Sequence, residues 1–257
     1  MLFRSGHRLA AVNLSDLAAM GALPRFATLA LTMPQLNEPW LAAFAAGLGR
    51  TLQAAGVSLI GGDTTRGPLT LTLQLLGFVN GAPLTRRGAR CGDVIAVSGS
   101  LGDARAGLDR ALAVPLAADD DALLARFLWP TPRLALGSAL RSLASAAIDV
   151  SDGLVADLGH ILEMSQVGAQ INLDQIPVSP VCRAHIHETG WDMVLANGDD
   201  YELCFTVPEK NIAALEKLEP ACGFHRIGVI ESEPGLRIID EAGKPYQSQE
   251  TGHEHFT

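Results

Sequence analysis

The stretch Gly61-Gly62-Asp63-Thr64-Thr65-Arg66-Gly67 lies between two apolar runs that predict strands, Val57 to Ile60 and Leu69 to Val79. Glycines permit unusual backbone dihedral angles and let a ligand approach the main chain closely. Asp63 stands beside them, with hydroxyl and cationic neighbours. The stretch therefore predicts a turn that holds a metal ion and a polyphosphate. A glycine-rich hairpin loop is the alternative, and this stretch alone does not separate the two.

A second acidic stretch is Asn13-Leu14-Ser15-Asp16, inside a helix predicted from Gly6 to Gly21. Asn13 and Asp16 are three residues apart, so they share one face of this helix. The neighbouring residues are almost all apolar, and a carboxylate in such surroundings is costly without a partner. We therefore favour a ligand role over a solvated helix face.

A third acidic stretch is Ile148-Asp149-Val150-Ser151-Asp152-Gly153, which ends a short apolar strand. Ser151 or Asp152 can also cap the helix that follows, and capping is the alternative interpretation. Capping accounts for one polar residue and leaves Asp149 unexplained. This stretch therefore also predicts a ligand site.

The candidate metal ligands are four aspartates that lie close to Gly, Ser or Thr: Asp16, Asp63, Asp149 and Asp152. Oxygen donors without cysteine or histidine favour a hard cation over zinc. Mg²⁺ takes few carboxylates and completes its shell with water and substrate phosphate, which favours phosphoryl transfer over a structural calcium site. An acidic cluster repels a polyphosphate unless cations intervene, so metal dependence is part of this hypothesis.

Helices and strands alternate along the chain, beginning with a helix, a strand, a second helix capped by Asn37, and two further strands. A polar, basic linker over Pro83 to Gly92 precedes a buried strand over Asp93 to Val97. The pattern predicts an α/β or α+β fold, and 257 residues are enough for two subdomains.

Composition excludes several classes of protein. The net charge of −9 argues against a nucleic-acid partner, because phosphate backbones are bound by basic surfaces. No apolar run is long enough to span a membrane and no secretory signal opens the chain, so we expect a soluble cytoplasmic protein. No lysine precedes Lys210, so the GxxxxGK[ST] motif of P-loop enzymes is absent.

Six runs along the chain carry a family resemblance: AVNLSDLAAMGA (11–22), LIGGDTTRGP (59–68), LTRRGA (84–89), IDVSDGL (148–154), DLGHI (157–161) and DDYELCFTV (199–207). In this order they resemble the thiamine-monophosphate kinase family of the aminoimidazole ribonucleotide synthetase-like superfamily. The resemblance covers nearly the whole chain from Gly6 onward. It implies a two-subdomain synthetase-like fold, with an N-terminal subdomain over residues 1–88 and a C-terminal subdomain over residues 89–257.

The resemblance implies transfer of the γ-phosphoryl group of ATP directly onto the phosphate of thiamine monophosphate, which gives thiamine diphosphate. Ligands of several Mg²⁺ ions are implied at Asp16, Asp63 and Asp149, with a further metal position at Asp152. ATP contacts are implied at Gly62, Asp63, Arg86 and Ser151. Arg86 and the metal ions would stabilise the charge of the transferred group. The family also implies a homodimer, with a site partly built at the subunit interface.

Three departures from the family pattern concern the start of the chain and the acceptor site. The family begins with a segment carrying Gly-Asp-Asp and Ser-Thr-Asp motifs, which residues 1–5 do not match, so we expect a truncated chain with an incomplete N-terminal subdomain. The family's substrate-contacting Glu is Asp199 here, one methylene shorter. The aromatic residue expected near the C-terminus is His253, which can still stack on a thiazole or pyrimidine ring. Both residues are expected substrate contacts.

Two alternative functions stay open from the sequence. The first is another ATP-using member of the superfamily, of the selenophosphate synthetase or hydrogenase maturation factor type. The second is a non-catalytic nucleotide-binding or dimerising remnant, which would bind ATP and Mg²⁺ without turnover.

Overall fold

The computed structural model describes residues 2–113, 122–217 and 223–248. Within these ranges the chain forms two β-sheets, each packed against helices, so the predicted α/β or α+β class is confirmed. No helix in the same ranges is long and apolar enough to cross a membrane. The predicted substrate contact His253 lies outside the described residues.

The first sheet has three strands, in the order β2-β1-β3. Its elements are α1 (Leu2–Ala19), β1 (Leu23–Met33), α2 (Glu38–Ala54), β2 (Ser58–Arg66) and β3 (Thr70–Phe78). Strands β1 and β2 run parallel and are joined through α2, whereas β3 pairs antiparallel with β1. Helix α2 begins as predicted, because the Asn37 side chain accepts a hydrogen bond from the Trp40 amide at 3.0 Å.

The predicted turn over Gly61 to Gly67 is wrong, because these residues up to Arg66 continue β2. The hairpin alternative is also wrong, since β2 and β3 lie on opposite sides of β1. A β-carbon on Gly62 would lie 1.9 Å from the Leu29 carbonyl oxygen of β1. Glycine is therefore needed here for the close approach of a neighbouring strand.

The second sheet has seven strands, in the order β10-β9-β6-β8-β4-β7-β5. Its strands are β4 (Asp93–Ser98), β5 (Ala146–Asp149), β6 (Gly168–Asn172), β7 (Leu203–Pro208), β8 (Phe224–Glu231), β9 (Gly235–Ile239) and β10 (Pro245–Tyr246). The helices are α3 (Asp103–Ala113), α4 (Ala122–Leu128), α5 (Leu134–Leu140), α6 (Leu154–Ser165), α7 (Pro180–Thr189), α8 (Asp192–Leu195) and α9 (Glu209–Lys217). Strands β6 and β9 pair in parallel, and the other neighbouring strands pair antiparallel.

Helix α1 packs against both sheets. Ala10 and Leu14 belong to the apolar cluster that α2 forms with the first sheet. Ala18, one turn further along α1, belongs to a cluster with Phe205 of β7 in the second sheet. This helix therefore fixes the two sheets relative to each other and places its polar face at their junction.

Helices α1 and α2 cross at two glycines. A β-carbon on Gly6 would lie 2.1 Å from the Phe44 carbonyl oxygen, and one on Gly47 would lie 2.0 Å from the Phe3 carbonyl oxygen. Both contacts are with backbone atoms, which cannot rotate away. The absence of side chains at these positions is therefore what lets the two helices approach so closely.

We expect Gly47→Ala to destabilise the protein by about 1–3 kcal/mol, because the added methyl group forces the helices apart. Gly49→Ala, in the same helix, is the matched control, since a β-carbon added there would have no neighbouring atom within 4 Å. We expect that control to gain about 0.5–1 kcal/mol from its higher helix propensity. Thermal and urea unfolding of both variants measure the difference, and equal stability of the two would contradict the crossing described here.

Candidate functional site

A polar cavity of about 700 Å³ opens between α1, the end of β5 and the loop that precedes β7. Five residues predicted for the site line it: Asp16, Asp149, Ser151, Asp152 and Asp199. They come from three distant parts of the chain, and the fold brings them together. We call this space the acidic cavity.

Two aspartates form the centre of the acidic cavity. Asp149 is the last residue of β5 and is buried, whereas Asp16 on α1 is exposed to the cavity. Burial among protein atoms raises the pKa of Asp16 to about 6, with repulsion by Asp149 as the second cause. Burial likewise raises the pKa of Asp149, opposed by the Ser15 hydroxyl and the Arg86 guanidinium. Repulsion by Asp149 thus disfavours the charged form of Asp16, repulsion by Asp152 disfavours that of Asp149, and a bound cation would relieve both.

Asp157 holds the turn that carries Ser151 and Asp152. Its Oδ2 accepts hydrogen bonds from the amides of both residues, at 2.9 and 3.0 Å. Gly153 is the N-cap residue of α6, with a φ of 114° and no side-chain capping bond, so the capping alternative for Ser151 or Asp152 is wrong. Instead, the Asp157 carboxylate in the first turn of the helix accepts hydrogen bonds from these amides, and the Ser151 and Asp152 side chains line the cavity.

The sequence interpretation assigned no role to Asp157, although it lies in the DLGHI run. It is buried, and burial raises its pKa to about 7 despite the two amide donors. An acidic residue in the first helical turn after a ligand motif is the signal that could have identified it.

Arg8 on α1 forms an ion pair with Asp199 of the cavity lining, although Arg8 is not itself a lining residue. Its Nη2 lies 2.6 Å from Asp199 Oδ1, and the Tyr201 hydroxyl donates to the same oxygen at 3.0 Å. The Arg8 guanidinium also lies over the Phe127 ring, 4.5 Å from its centroid. The sequence interpretation missed this arginine, yet Arg8 and Asp16 are eight residues apart and thus on the same face of α1. Arg105, a cationic residue that does line the cavity, was likewise not predicted.

Three predicted ligands, Gly62, Asp63 and Arg86, are not among the lining residues of the acidic cavity. Gly62 and Asp63 lie on β2, where all nine residues are exposed. Arg86 is exposed in the loop before β4, and its charge acts on both Asp16 and Asp149.

The donor set of the acidic cavity fits Mg²⁺. Within the described ranges, no three His, Cys, Asp or Glu side chains are grouped closely enough to hold a metal ion by themselves. Mg²⁺ does not need such a cage, because it binds through one or two carboxylates and takes its other ligands from water and substrate phosphates. The oxygen donors of Asp16, Asp149 and Asp152 suit that chemistry.

Comparison with known proteins gives concordant results. Residues 2–79 match the model of the AIR synthase related protein N-terminal domain, and residues 90–241 match that of the C-terminal domain. The chain is 46% identical to the thiamine-monophosphate kinase of Salmonella typhimurium, over 97% of this chain and 79% of that protein.

Two solved structures extend the similarity. The crystal structure of thiamine-monophosphate kinase from Stenotrophomonas maltophilia is 43% identical, with a TM-score of 0.87 over 95% of this chain and 80% of that one. The structure of AaThiL complexed with AMPPCP and TMP is 30% identical, with a TM-score of 0.87 over 99% of this chain and 81% of that one.

Proposed function

The chain belongs to the thiamine-monophosphate kinase family, and we propose that it transfers the γ-phosphoryl group of ATP to thiamine monophosphate in a Mg²⁺-dependent reaction. The observation that carries this proposal is the acidic cavity, where Asp16 and Asp149 repel each other beside the Arg86 guanidinium. The related AaThiL structure, complexed with AMPPCP and TMP, supports ATP and thiamine monophosphate as the two substrates.

Asp16, Asp149 and Asp152 would hold the metal, and Asp63 stays a further candidate from the resemblance. Bound Mg²⁺ would neutralise phosphate oxygens and so lower the repulsion between the two substrates. Ser151 and Arg86 are the proposed ATP contacts near these carboxylates, with Gly62 proposed on β2.

Asp199 and Tyr201 of the cavity lining, with Arg8 paired to Asp199, would orient thiamine monophosphate, and His253 is a further proposed contact. Within this scheme the phosphate of thiamine monophosphate attacks the γ-phosphorus directly, and no protein group forms a covalent intermediate. The chain's own residues contribute by positioning the two substrates and stabilising their charge.

We also propose a homodimer formed through the uncovered face of the first sheet. Phe26 and Phe78 are 39% and 61% exposed on adjacent strands, and their ring centroids are 6.4 Å apart. Leu76, opposite Phe26 in the strand register, is 45% exposed. An apolar surface of this kind is typical of a protein interface.

The division of the chain into two subdomains at residues 88/89 and the cytoplasmic location also stay predictions from the sequence.

The proposed reaction is tested by incubating the purified chain with ATP, thiamine monophosphate and Mg²⁺, and by separating the products chromatographically. We expect thiamine diphosphate and ADP in equal amounts, and no product when EDTA is in excess over Mg²⁺. Product formation that is unaffected by EDTA would contradict the metal requirement. Binding of ATP and Mg²⁺ without turnover would instead identify the non-catalytic alternative.

A further inference from the structure

Glu202 is a buried carboxylate that the proposed reaction does not use. Its Oε2 accepts from Arg133 Nε at 2.7 Å and from Ser98 Oγ at 2.5 Å, while Oε1 accepts from Arg126 Nη2 at 2.8 Å. Burial by itself raises the pKa of Glu202, but the hydrogen bonds and charges of these arginines hold it below its usual value. We call this arrangement the Glu202 cluster: Glu202, Ser98, Arg126 and Arg133.

The backbone around the Glu202 cluster is shaped to contain the carboxylate. Gly99 has a φ of 55°, and a β-carbon there would lie 2.2 Å from Glu202 Oε1. Ser98 Oγ, besides donating to the carboxylate, accepts a hydrogen bond from the Leu203 amide at 2.9 Å. The end of β4 and the start of β7 are thus joined through this one side chain.

The same segment borders the acidic cavity. Beyond the last β5–β7 pair, the Val150 amide donates to the Glu202 carbonyl oxygen at 2.7 Å, and the Tyr201 amide donates to the Val150 carbonyl oxygen at 2.9 Å. The Asp199 amide then donates to the Ser151 carbonyl oxygen at 2.9 Å. Residues 199–202 therefore continue the hydrogen bonding between β5 and β7 as far as the acidic cavity.

The side chains of this segment alternate between the cavity and the interior. Asp199 and Tyr201 line the cavity, and their φ angles of 71° and 51° lie in the left-handed region that non-glycine residues disfavour. Asp200 and Glu202 are buried, and Asp200 accepts hydrogen bonds from the Gly102 and Ala104 amides. A disfavoured backbone persists only where surrounding contacts enforce it, and the two buried carboxylates supply such contacts.

We propose that Glu202 is a positioning residue: held by Arg126 and Arg133, it fixes the left-handed backbone of Asp199 and Tyr201 and so sets the affinity for the phosphate acceptor. This inference rests on the proposed function, which assigns Asp199 to the acceptor. The proposed ATP contact Ser151 has an anchor of its own, because Asp157 accepts a hydrogen bond from the Ser151 amide in addition to the Asp199–Ser151 bond. Loss of the Glu202 carboxylate therefore affects acceptor binding more than ATP binding.

The test compares the full chain with Glu202→Gln, which keeps the side-chain shape and removes the charge. We expect the KM for thiamine monophosphate to rise about tenfold or more, with the KM for ATP changed by about twofold or less. Hydrogen exchange at the Asp199 and Tyr201 amides should also accelerate about tenfold, and this readout does not depend on activity. Glu216→Gln is the matched control, because it breaks an exposed ion pair between Glu216 on α9 and Arg226 on β8, and we expect it to change neither measurement.

The possible outcomes separate the two proposals. If the unmodified chain makes no thiamine diphosphate, the proposed function fails, while the exchange data still judge the positioning role. Two results would overturn the inference. One is unchanged hydrogen exchange at both amides. The other is an equal loss of activity towards ATP and thiamine monophosphate that matches the unfolded fraction of the variant. If Glu202→Gln does not fold, Arg126→Gln takes its place, because it leaves the Arg133 pair intact, and we expect the same selective change at about threefold.

Discussion

We expect Asp149→Asn to lower the rate of thiamine diphosphate formation about a hundredfold or more, without loss of folded protein. Asp149 ends β5 and shares the acidic cavity with Asp16, so its charge is placed where the proposed metal ion would balance it. An asparagine of nearly the same shape supplies one neutral oxygen and removes that charge. Since burial raises the pKa of Asp149, its ionised form is costly in the empty fold, and we expect the melting temperature to stay equal or to rise.

The measurement is kcat under saturating ATP, thiamine monophosphate and Mg²⁺, together with thermal unfolding of the same preparation. Asp174→Asn is the control, since Asp174 is exposed in a short 3₁₀ turn after β6 and lies outside the acidic cavity. We expect the control to keep its activity within about twofold. An Asp149→Asn variant that retains more than a third of the activity would show that this carboxylate is not required.

The second large effect is expected at Gly198, in the loop before β7. A β-carbon there would lie 1.7 Å from the Ser151 carbonyl oxygen and 2.8 Å from the Asp152 nitrogen. Both neighbours are backbone atoms, so Gly198→Ala must push the loop away from the turn that Asp157 holds. We expect a loss of about 2–4 kcal/mol in stability and a fall in activity of about a hundredfold, because Ser151 and Asp199 then separate.

Gly159→Ala provides the contrast, because Gly159 lies in α6 and a β-carbon added to it would meet no neighbouring atom within 4 Å. This substitution should raise stability by about 0.5–1 kcal/mol through helix propensity and leave activity unchanged. Urea unfolding measures the stability of the two alanine variants, and steady-state kinetics measure their activity. Similar behaviour of both would mean that the close approach of Gly198 to Ser151 is not needed.

Much of the site follows from local sequence patterns. The Asn37 cap is confirmed, and so is a buried strand over Asp93 to Val97. Asp149 and Asp152 were expected to leave a short strand together, and both line the acidic cavity with Asp16. These features depend on residues close in the chain, where capping, periodicity and glycine content carry the information.

The errors concern contacts between distant segments. The stretch around Gly62 was predicted as a turn because of its glycines, whereas it continues β2, and Gly62 allows the backbone of β1 to approach closely. Arg8 and Asp157 were missed because their roles depend on Asp199 and on two backbone amides, and pairings of that kind are set by the tertiary fold. A local pattern cannot distinguish a glycine that faces a strand from one that faces a phosphate.

Helix α1 has a consequence for how the chain folds during synthesis. We expect one side of it to pack on the first sheet early in synthesis. The contact of Ala18 can form only after Phe205 of β7 has been synthesised, far later in the chain. Contacts between residues so distant in sequence form late, because a long loop must close first. Until then the helix end is an exposed apolar surface, a target for chaperones or for aggregation. We expect the proposed site to form last, since Asp16 on α1 and Asp149 at the end of β5 come together only when this docking is complete.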